Sequence, residues 1–347
     1  MPYFSLKAFS VWLAALACLP FGSIATAGII EWVTVGDPGN TADADPAGYG
    51  AVAASFRIMK YEFTNQLYTE FLNSVAATTD TYSLYNASMG SNARGGITQS
   101  GSSGSYTYSA KTDMGDKPVN YVSWFDAARV SNWLMNGATS SSSTETGAYT
   151  LDGGQTTGTA PAVNSGATFY VPTEDQWYKA AYYKGGSTSA GYWDYATQSD
   201  SAPTAVTAGV TGIGSAGSTG NFANFDEVAS WNSQTGNVTT VGTNGGASTY
   251  GAFDMSGNVA EWNDLTGAAG SSRGLRGGSW SSSAFNQSSS HSLSELPSDL
   301  YNNVGFRLAS PVSGPSGVPE IDPNGLSAVL GLLVGGLGLL ERRRYGR

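Results

Sequence analysis

The chain has 347 residues, a formal net charge of −10, one cysteine and one histidine. Its acidic balance argues against nucleic acid as a partner and against attraction of the body to an anionic membrane surface. Charged residues are 12% of the chain, about half the usual share of roughly 25%, while glycine, at 46 residues, exceeds its usual share of about 7%; this composition disfavours long solvated helices and favours loops, turns and short strands.

Residues 1–27 read as a secretory signal peptide. Lys7 is the only charge before an apolar run from Ala8 to Phe21, and Ala25-Thr26-Ala27 offers the small residues a signal peptidase accepts. The alternative is a buried N-terminal helix. Cys18 lies inside the apolar run, between Ala15-Leu16-Ala17 and Leu19-Pro20, a poor setting for lipidation. Loss of the signal leaves no cysteine, so the body folds without disulfides although export would permit them.

Three helices are predicted in the body. Thr64 caps the first, whose apolar positions Tyr68, Phe71, Leu72 and Val75 follow i, i+3, i+4, i+7 spacing. Ser123 and Asp126 have the spacing of a capping box, followed by Ala127, Val130 and Leu134 on one face and a stop at Asn136-Gly137. Thr173 and Gln176 form a second box after Pro172, with Trp177, Ala180 and Ala181 behind and Gly185-Gly186 as the end. Residues 87–112, 137–168 and 185–220, rich in Gly, Ser, Thr and Ala, read as surface loops or insertions. Loops of this length are uncommon inside compact domains, so they either pack through Tyr192, Trp193 and Tyr195 or rely on another stabiliser such as a bound ion.

The C-terminal end divides into a linker and sorting motif over 311–325 and an apolar helix with an arginine-rich end over 326–347. Val318-Pro319-Glu320-Ile321 follows the Pro/Gly/Ser-rich linker, and the apolar run Leu326–Leu340 precedes Glu341-Arg342-Arg343-Arg344. That run of 15 residues is short of the about 20 that a permanent span usually needs; the arginines would stay on the cytoplasmic side. The order of motif, apolar helix and arginine cluster resembles the PEP-CTERM sorting tails thought to be processed by an exosortase-type membrane transpeptidase. Ile321 stands where that family usually has a second proline. A simple tail anchor is the alternative. Either reading places the protein outside the cytoplasm, in the cell envelope or at the cell surface, held by its C-terminus at least transiently.

Six phrases line up through the body: Tyr61-Glu62-Phe63-Thr64-Asn65; Pro118-Val119-Asn120-Tyr121-Val122-Ser123-Trp124; Val171-Pro172-Thr173-Glu174-Asp175-Gln176-Trp177; Gly257-Asn258-Val259-Ala260-Glu261-Trp262; Arg276-Gly277-Gly278-Ser279-Trp280; and Gly305-Phe306-Arg307. In this order, residues 28–310 resemble the formylglycine-generating enzyme family, also called the sulfatase-modifying factor family. The resemblance implies an irregular, loop-rich α+β fold related to C-type lectins, with bound calcium.

In that family the enzyme proper oxidises a sulfatase cysteine using two cysteines that hold Cu(I), a ion that soft thiolates select. Alignment on the Gly-Gly-Ser-aromatic phrase puts Ser282 and Gln287 at these positions, and neither a hydroxyl nor an amide replaces a thiolate. The related sulfoxide synthases use iron with several histidines, whereas this chain has only His291. Copper is therefore not expected, and a non-catalytic binding or structural module is favoured over an oxidase or another enzyme with an unrecognised site.

The resemblance further implies a calcium site with carboxylates from Asp254 and Glu261 and carbonyls from Gly257 and Val259, matching the oxygen-rich shell Ca²⁺ prefers. The alternative is that Asp254 caps a turn and Glu261 pairs with an arginine. A second calcium site would use Asn224 and the carbonyl of Phe225, although no aspartate is evident near Ser233. The Ser/Asn-rich stretch from Ser281 to Asn303 lies where the family holds substrate. Ser282, Asn286, Gln287, His291, Asn302 and Asn303 are its candidate ligand-binding residues, for a glycan, peptide or matrix polymer. Trp124, Trp177, Trp262 and Trp280 read as core residues rather than sugar-stacking platforms, since large aromatics dominate core burial.

Overall fold

The computed structural model describes residues 29–46 and 48–312. The signal-peptide reading and the sorting motif and apolar run beyond residue 312 lie outside these residues. Among the described residues no helix is long and apolar enough to cross a membrane.

In chain order the elements are β1 (Trp32–Val35), β2 (Phe56–Met59), α1 (Asn65–Val75), α2 (Ala87–Ser91), β3 (Ile97–Ser100), β4 (Thr107–Ala110), α3 (Trp124–Met135), α4 (Glu174–Tyr182), β5 (Thr204–Ala205), β6 (Phe222–Ala223), β7 (Ala260–Asn263), β8 (Arg273–Arg276), a 3-10 turn (Ala284–Gln287), β9 (Leu293–Glu295), β10 (Val304–Gly305) and β11 (Ala309–Pro311). This is the loop-rich α+β architecture expected.

The helix starts follow their local chemistry. Thr64 accepts from the Leu67 N–H at the head of α1. At α3, Ser123 Oγ accepts from the Asp126 N–H while the Asp126 carboxylate accepts from the Ser123 N–H. Thr173 and Gln176 make the same reciprocal pair at α4. Each such cap contributes about 1 kcal/mol. Helix α4 stops short of Gly185-Gly186: Tyr183 is already extended and is drawn into a bridge with Tyr192, so strand-like pairing takes the chain before the glycines do. Residues 87–112 are likewise not a plain loop, since they hold α2 and the β3–β4 hairpin, with Ile97 opposite Ala110.

Two small sheets frame the body. β2 is the centre of one, antiparallel to both β1 and β11. The other runs β10-β7-β8-β9, with β10 parallel to β7 and the rest antiparallel. The main core lies against α1, α3 and this second sheet. Phe63 and Phe306 stack there at 4.9 Å, and Trp124 meets Tyr149 edge-on at 5.0 Å. Burying such a ring stabilises by about 1.5–3 kcal/mol, and a well-placed aromatic pair adds about 0.5–1.5 kcal/mol. A second cluster gathers Phe56, Ile58, Trp177, Tyr178, Tyr182 and Met255. Trp124, Trp177, Trp262 and Trp280 are all buried, as core residues.

The chain's scarce charges are partly turned inward. Arg129, Arg273, Arg276 and Arg307 are among the largest fully buried side chains. Their acidic partners are Glu145, Asp264, Glu174 and Glu261, at 2.8, 2.7, 2.8 and 2.6 Å. An unpaired buried charge would be strongly destabilising, so each pair fixes the elements that carry it.

Candidate binding site over the four-stranded sheet

Strand register builds the site from below. Val304 pairs with Ala260, Trp262 with Leu275, and Leu275 with Leu293. Side chains two apart share a face, so Val304, Ala260, Leu275 and Leu293, one from each strand, share one face of the sheet. They line a cavity of about 280 Å³. Above this apolar floor stands a polar rim that includes Ser279, Ser282, Asn286, His291, Glu295 and Asn303.

The turn after β8 places the rim. Gly277 and Gly278 have φ of +89° and +67°, the left-handed region that favours glycine. A Cβ on Gly278 would lie 2.9 Å from Gln287 Cγ and 3.0 Å from the Asn286 carbonyl, so the bare backbone lets the 3-10 turn close over it. The Ser279 and Ser282 hydroxyls then meet at 3.0 Å, and Asn303 Nδ2 donates to Ser279 and Ser281 at 3.2 Å each.

One histidine nitrogen is already engaged. Asn286 Oδ1 accepts from both the N–H and the hydroxyl of Ser283. Its Nδ2 therefore points at His291 Nε2, 2.9 Å away, and Nε2 accepts, leaving the ring proton on Nδ1. Burial and the nearby Arg276 guanidinium lower the His291 pKa, which favours the neutral ring. A nucleophile–base pair needs a hydroxyl within reach of the base; here the partner of Nε2 is an amide. Arg276 itself is used by Glu174 and by the carbonyls of Ser289 and His291.

The sequence candidates separate on inspection. Ser282, Asn286, His291 and Asn303 line the cavity. Gln287 and Asn302 do not. Gln287, the last residue of the 3-10 turn, is fully buried, and its carbonyl accepts from the Tyr182 hydroxyl. The Asn302 carbonyl accepts from Asn120 Nδ2 at 2.7 Å, tying that residue to the chain beneath. Glu295, Tyr301 and the four floor residues line the cavity without having been singled out. Alternation along β9, which puts Leu293 and Glu295 on one side, is the signal that could have found two of them.

The expected calcium carboxylates are engaged by the protein. Arg307 Nη2 and Nε meet Glu261 Oε1 and Oε2 at 2.6 and 2.7 Å, and Trp177 Nε1 donates to Oε2 at 2.8 Å. Asp254 accepts from the Gly242 N–H and from Asn244 Nδ2. Asp254 and Glu261 thus already have partners within the protein, Glu261 in the arginine pair that was the alternative reading and Asp254 in a backbone and an amide contact. Gly257 and Val259 sit beside them through other contacts. Gly257 bridges to Asn224, and the Val259 N–H donates to Glu62 Oε1 at 3.2 Å. Glu62, which the sequence offered only as part of the first family phrase, accepts from Asn258 Nδ2 at 2.8 Å. Burial first, then Asp254 and Glu261, push its pKa well above the usual carboxylate range.

The Asn224 group differs. Its Nδ2 donates to the Asn237 carbonyl, Thr239 Oγ1 and Asn258 Oδ1 at 2.9–3.1 Å. Its Oδ1 is buried without a hydrogen-bond partner, which is the state of an oxygen fit for a hard cation. Phe225, adjacent in the chain, is buried too. Among the described residues, no cluster of three or more His, Cys, Asp or Glu side chains forms a metal cage.

Residues 31–312 match the family profile described as "Sulfatase-modifying factor enzyme 1-like domain". The chain belongs to that family. Among solved structures it is similar to CarF, at 20% identity and a TM-score of 0.48, covering 82% of this chain and 99% of that one. It is also similar to Treponema denticola variable protein 1, at 19% identity and a TM-score of 0.47, covering 82% and 97%. A third similarity is to PvdO from Pseudomonas aeruginosa, at 19% identity and a TM-score of 0.40, covering 82% and 92%. No curated protein matches the sequence.

Proposed function

We propose that this sulfatase-modifying factor domain is an exported, non-catalytic binding module held in the cell envelope or at the cell surface. Its binding face is the cavity over the four-stranded sheet. The observation that carries the reading is the chemistry of the cavity wall: Ser282 lines it where the resembling oxidases hold a thiolate, Gln287 lies buried below, and His291 Nε2 is held by Asn286. These groups hydrogen-bond well and oxidise nothing. Export rests on residues 1–27, and retention on the tail after residue 312, with an exosortase-type enzyme as processing partner.

Calcium is proposed as a stabiliser through the Asn224 side chain and the Phe225 carbonyl, supported by the partnerless Asn224 Oδ1. Bound there, the ion would supply structural cohesion and no chemistry at the cavity.

The direct test incubates the purified chain with a cysteine-containing sulfatase peptide, copper and oxygen, read by mass spectrometry. Unchanged cysteine is expected; formylglycine product would overturn the proposal and restore the oxidase reading.

A further inference from the structure

Resting on that binding-face reading, we infer that the ligand is a linear, uncharged glycan whose successive sugar units occupy two adjoining cavities on either side of Glu295–Leu296.

The second cavity, of about 340 Å³, is lined by Thr157, Thr159, Ser271 and Ser298 with Leu296 and Pro297. Glu295 belongs to the first cavity and Leu296 to the second. Consecutive Cα atoms lie about 3.8 Å apart, so the two cavities adjoin at this pair of residues. Drug-sized ligands usually fill pockets of roughly 300–1,000 Å³; each of these holds a ring, and only an extended molecule fills both.

The wall chemistry selects the class. An apolar floor below a rim of hydroxyls and amides matches a sugar ring, which has C–H faces and hydroxyl edges. Phe285 and Tyr301, 61% and 40% exposed, stand beside the first cavity: Tyr301 lines it, and Phe285 packs edge-on against His291 at 5.4 Å. Exposed rings there offer apolar surface to a sugar face. Among the described residues lining the two cavities, an anionic polymer finds no free cation. Arg276 is used by Glu174 and two carbonyls, and Glu295 and Asp299, the latter accepting from the Tyr301 hydroxyl, add negative charge.

The chain would be titrated by calorimetry with neutral glucans, galactans and mannans, from single sugars to hexamers. An oligo-uronate and an apolar octapeptide serve as controls. Affinity for a neutral chain is expected to rise about tenfold, or about 1.4 kcal/mol, once it reaches both cavities. Leu296→Arg, at an exposed position, is expected to remove that gain while leaving single-sugar binding intact, and Asn303→Ala to weaken both. Preference for the uronate, absence of any length gain, or no binding of any neutral chain would overturn the inference. Binding of the peptide alone would overturn it while sparing the binding face; no binding of any probe would remove both.

Discussion

The Arg307 guanidinium grips both carboxylate oxygens of Glu261, at 2.6 and 2.7 Å, with neither side chain open to solvent. The same guanidinium donates to the carbonyls of Met59 and Phe253. One side chain therefore ties β7 to the end of β2 and to the loop before the Gly-Asn-Val phrase. Removing one partner of a buried pair costs about 3–5 kcal/mol. Arg307→Ala is expected to lower the unfolding free energy from urea titration by that much, with Arg307→Lys intermediate because an ammonium lacks the fork. A loss below about 1 kcal/mol, typical of an exposed pair, would show that the contact does not hold the fold.

Stability is expected to fall as pH rises through the mildly acidic range. Burial pushes the Asp126 carboxyl up to about 6, against the lowering effect of the Ser123 N–H, the Ser123 hydroxyl and Arg129. An unfolded aspartate titrates near about 3.9. Between those values the folded state holds more protons than the unfolded one, so folding weakens with rising pH. The difference of about two units corresponds to about 3 kcal/mol, fully lost above the folded value. Glu62 and Asp254 shift in the same direction. Urea midpoints across this window check the slope, which Asp126→Asn should flatten; a midpoint that climbs with pH would contradict the assignment.

A chelator should lower the melting temperature, and added calcium should restore it. At a hundredfold excess over its dissociation constant, an ion bound only to the folded state contributes about 2.7 kcal/mol. Asn224→Ala removes the partnerless buried oxygen and should abolish the response, whereas Asp254→Asn should leave it in place. Equal melting of the parent chain with and without calcium would dismiss the ion.

Gly278→Ala is expected to destabilise by about 1–3 kcal/mol, the cost of a residue held in a sparsely populated backbone region. The added methyl meets the Asn286 carbonyl and Gln287 Cγ at about 3 Å, so ligand binding at the cavity should weaken too. Wild-type denaturation and binding curves for this variant would show that the turn tolerates a side chain.

What the sequence made legible was local. The reciprocal caps of Ser123 with Asp126 and Thr173 with Gln176 span three residues, so composition and spacing sufficed. The six ordered phrases carried the family, since each is short enough to read in place. The site was only half legible. Ser282, Asn286, His291 and Asn303 reach the cavity, but Gln287 and Asn302 do not line it, because a run of Ser and Asn does not say which side chains face out. Glu62 stood in a family phrase, but its role beside the Gly-Asn-Val phrase was not legible because Asn258 and Val259, its partners, lie 196 and 197 residues along the chain. The carboxylate of Glu261 read first as a metal ligand, with an arginine partner as the alternative, and only the folded chain brings Arg307 beside it.

The three-stranded sheet also governs how the domain meets mechanical load. β1 and β11 flank β2 and run parallel to each other, with Trp32 opposite Met59 and Pro311 opposite Phe56. The polypeptide thus enters at one end of the sheet and departs at the other. Tension between the two ends slides the outer strands in opposite directions along β2, so the hydrogen bonds of both ladders are strained together instead of opening one by one like a zip.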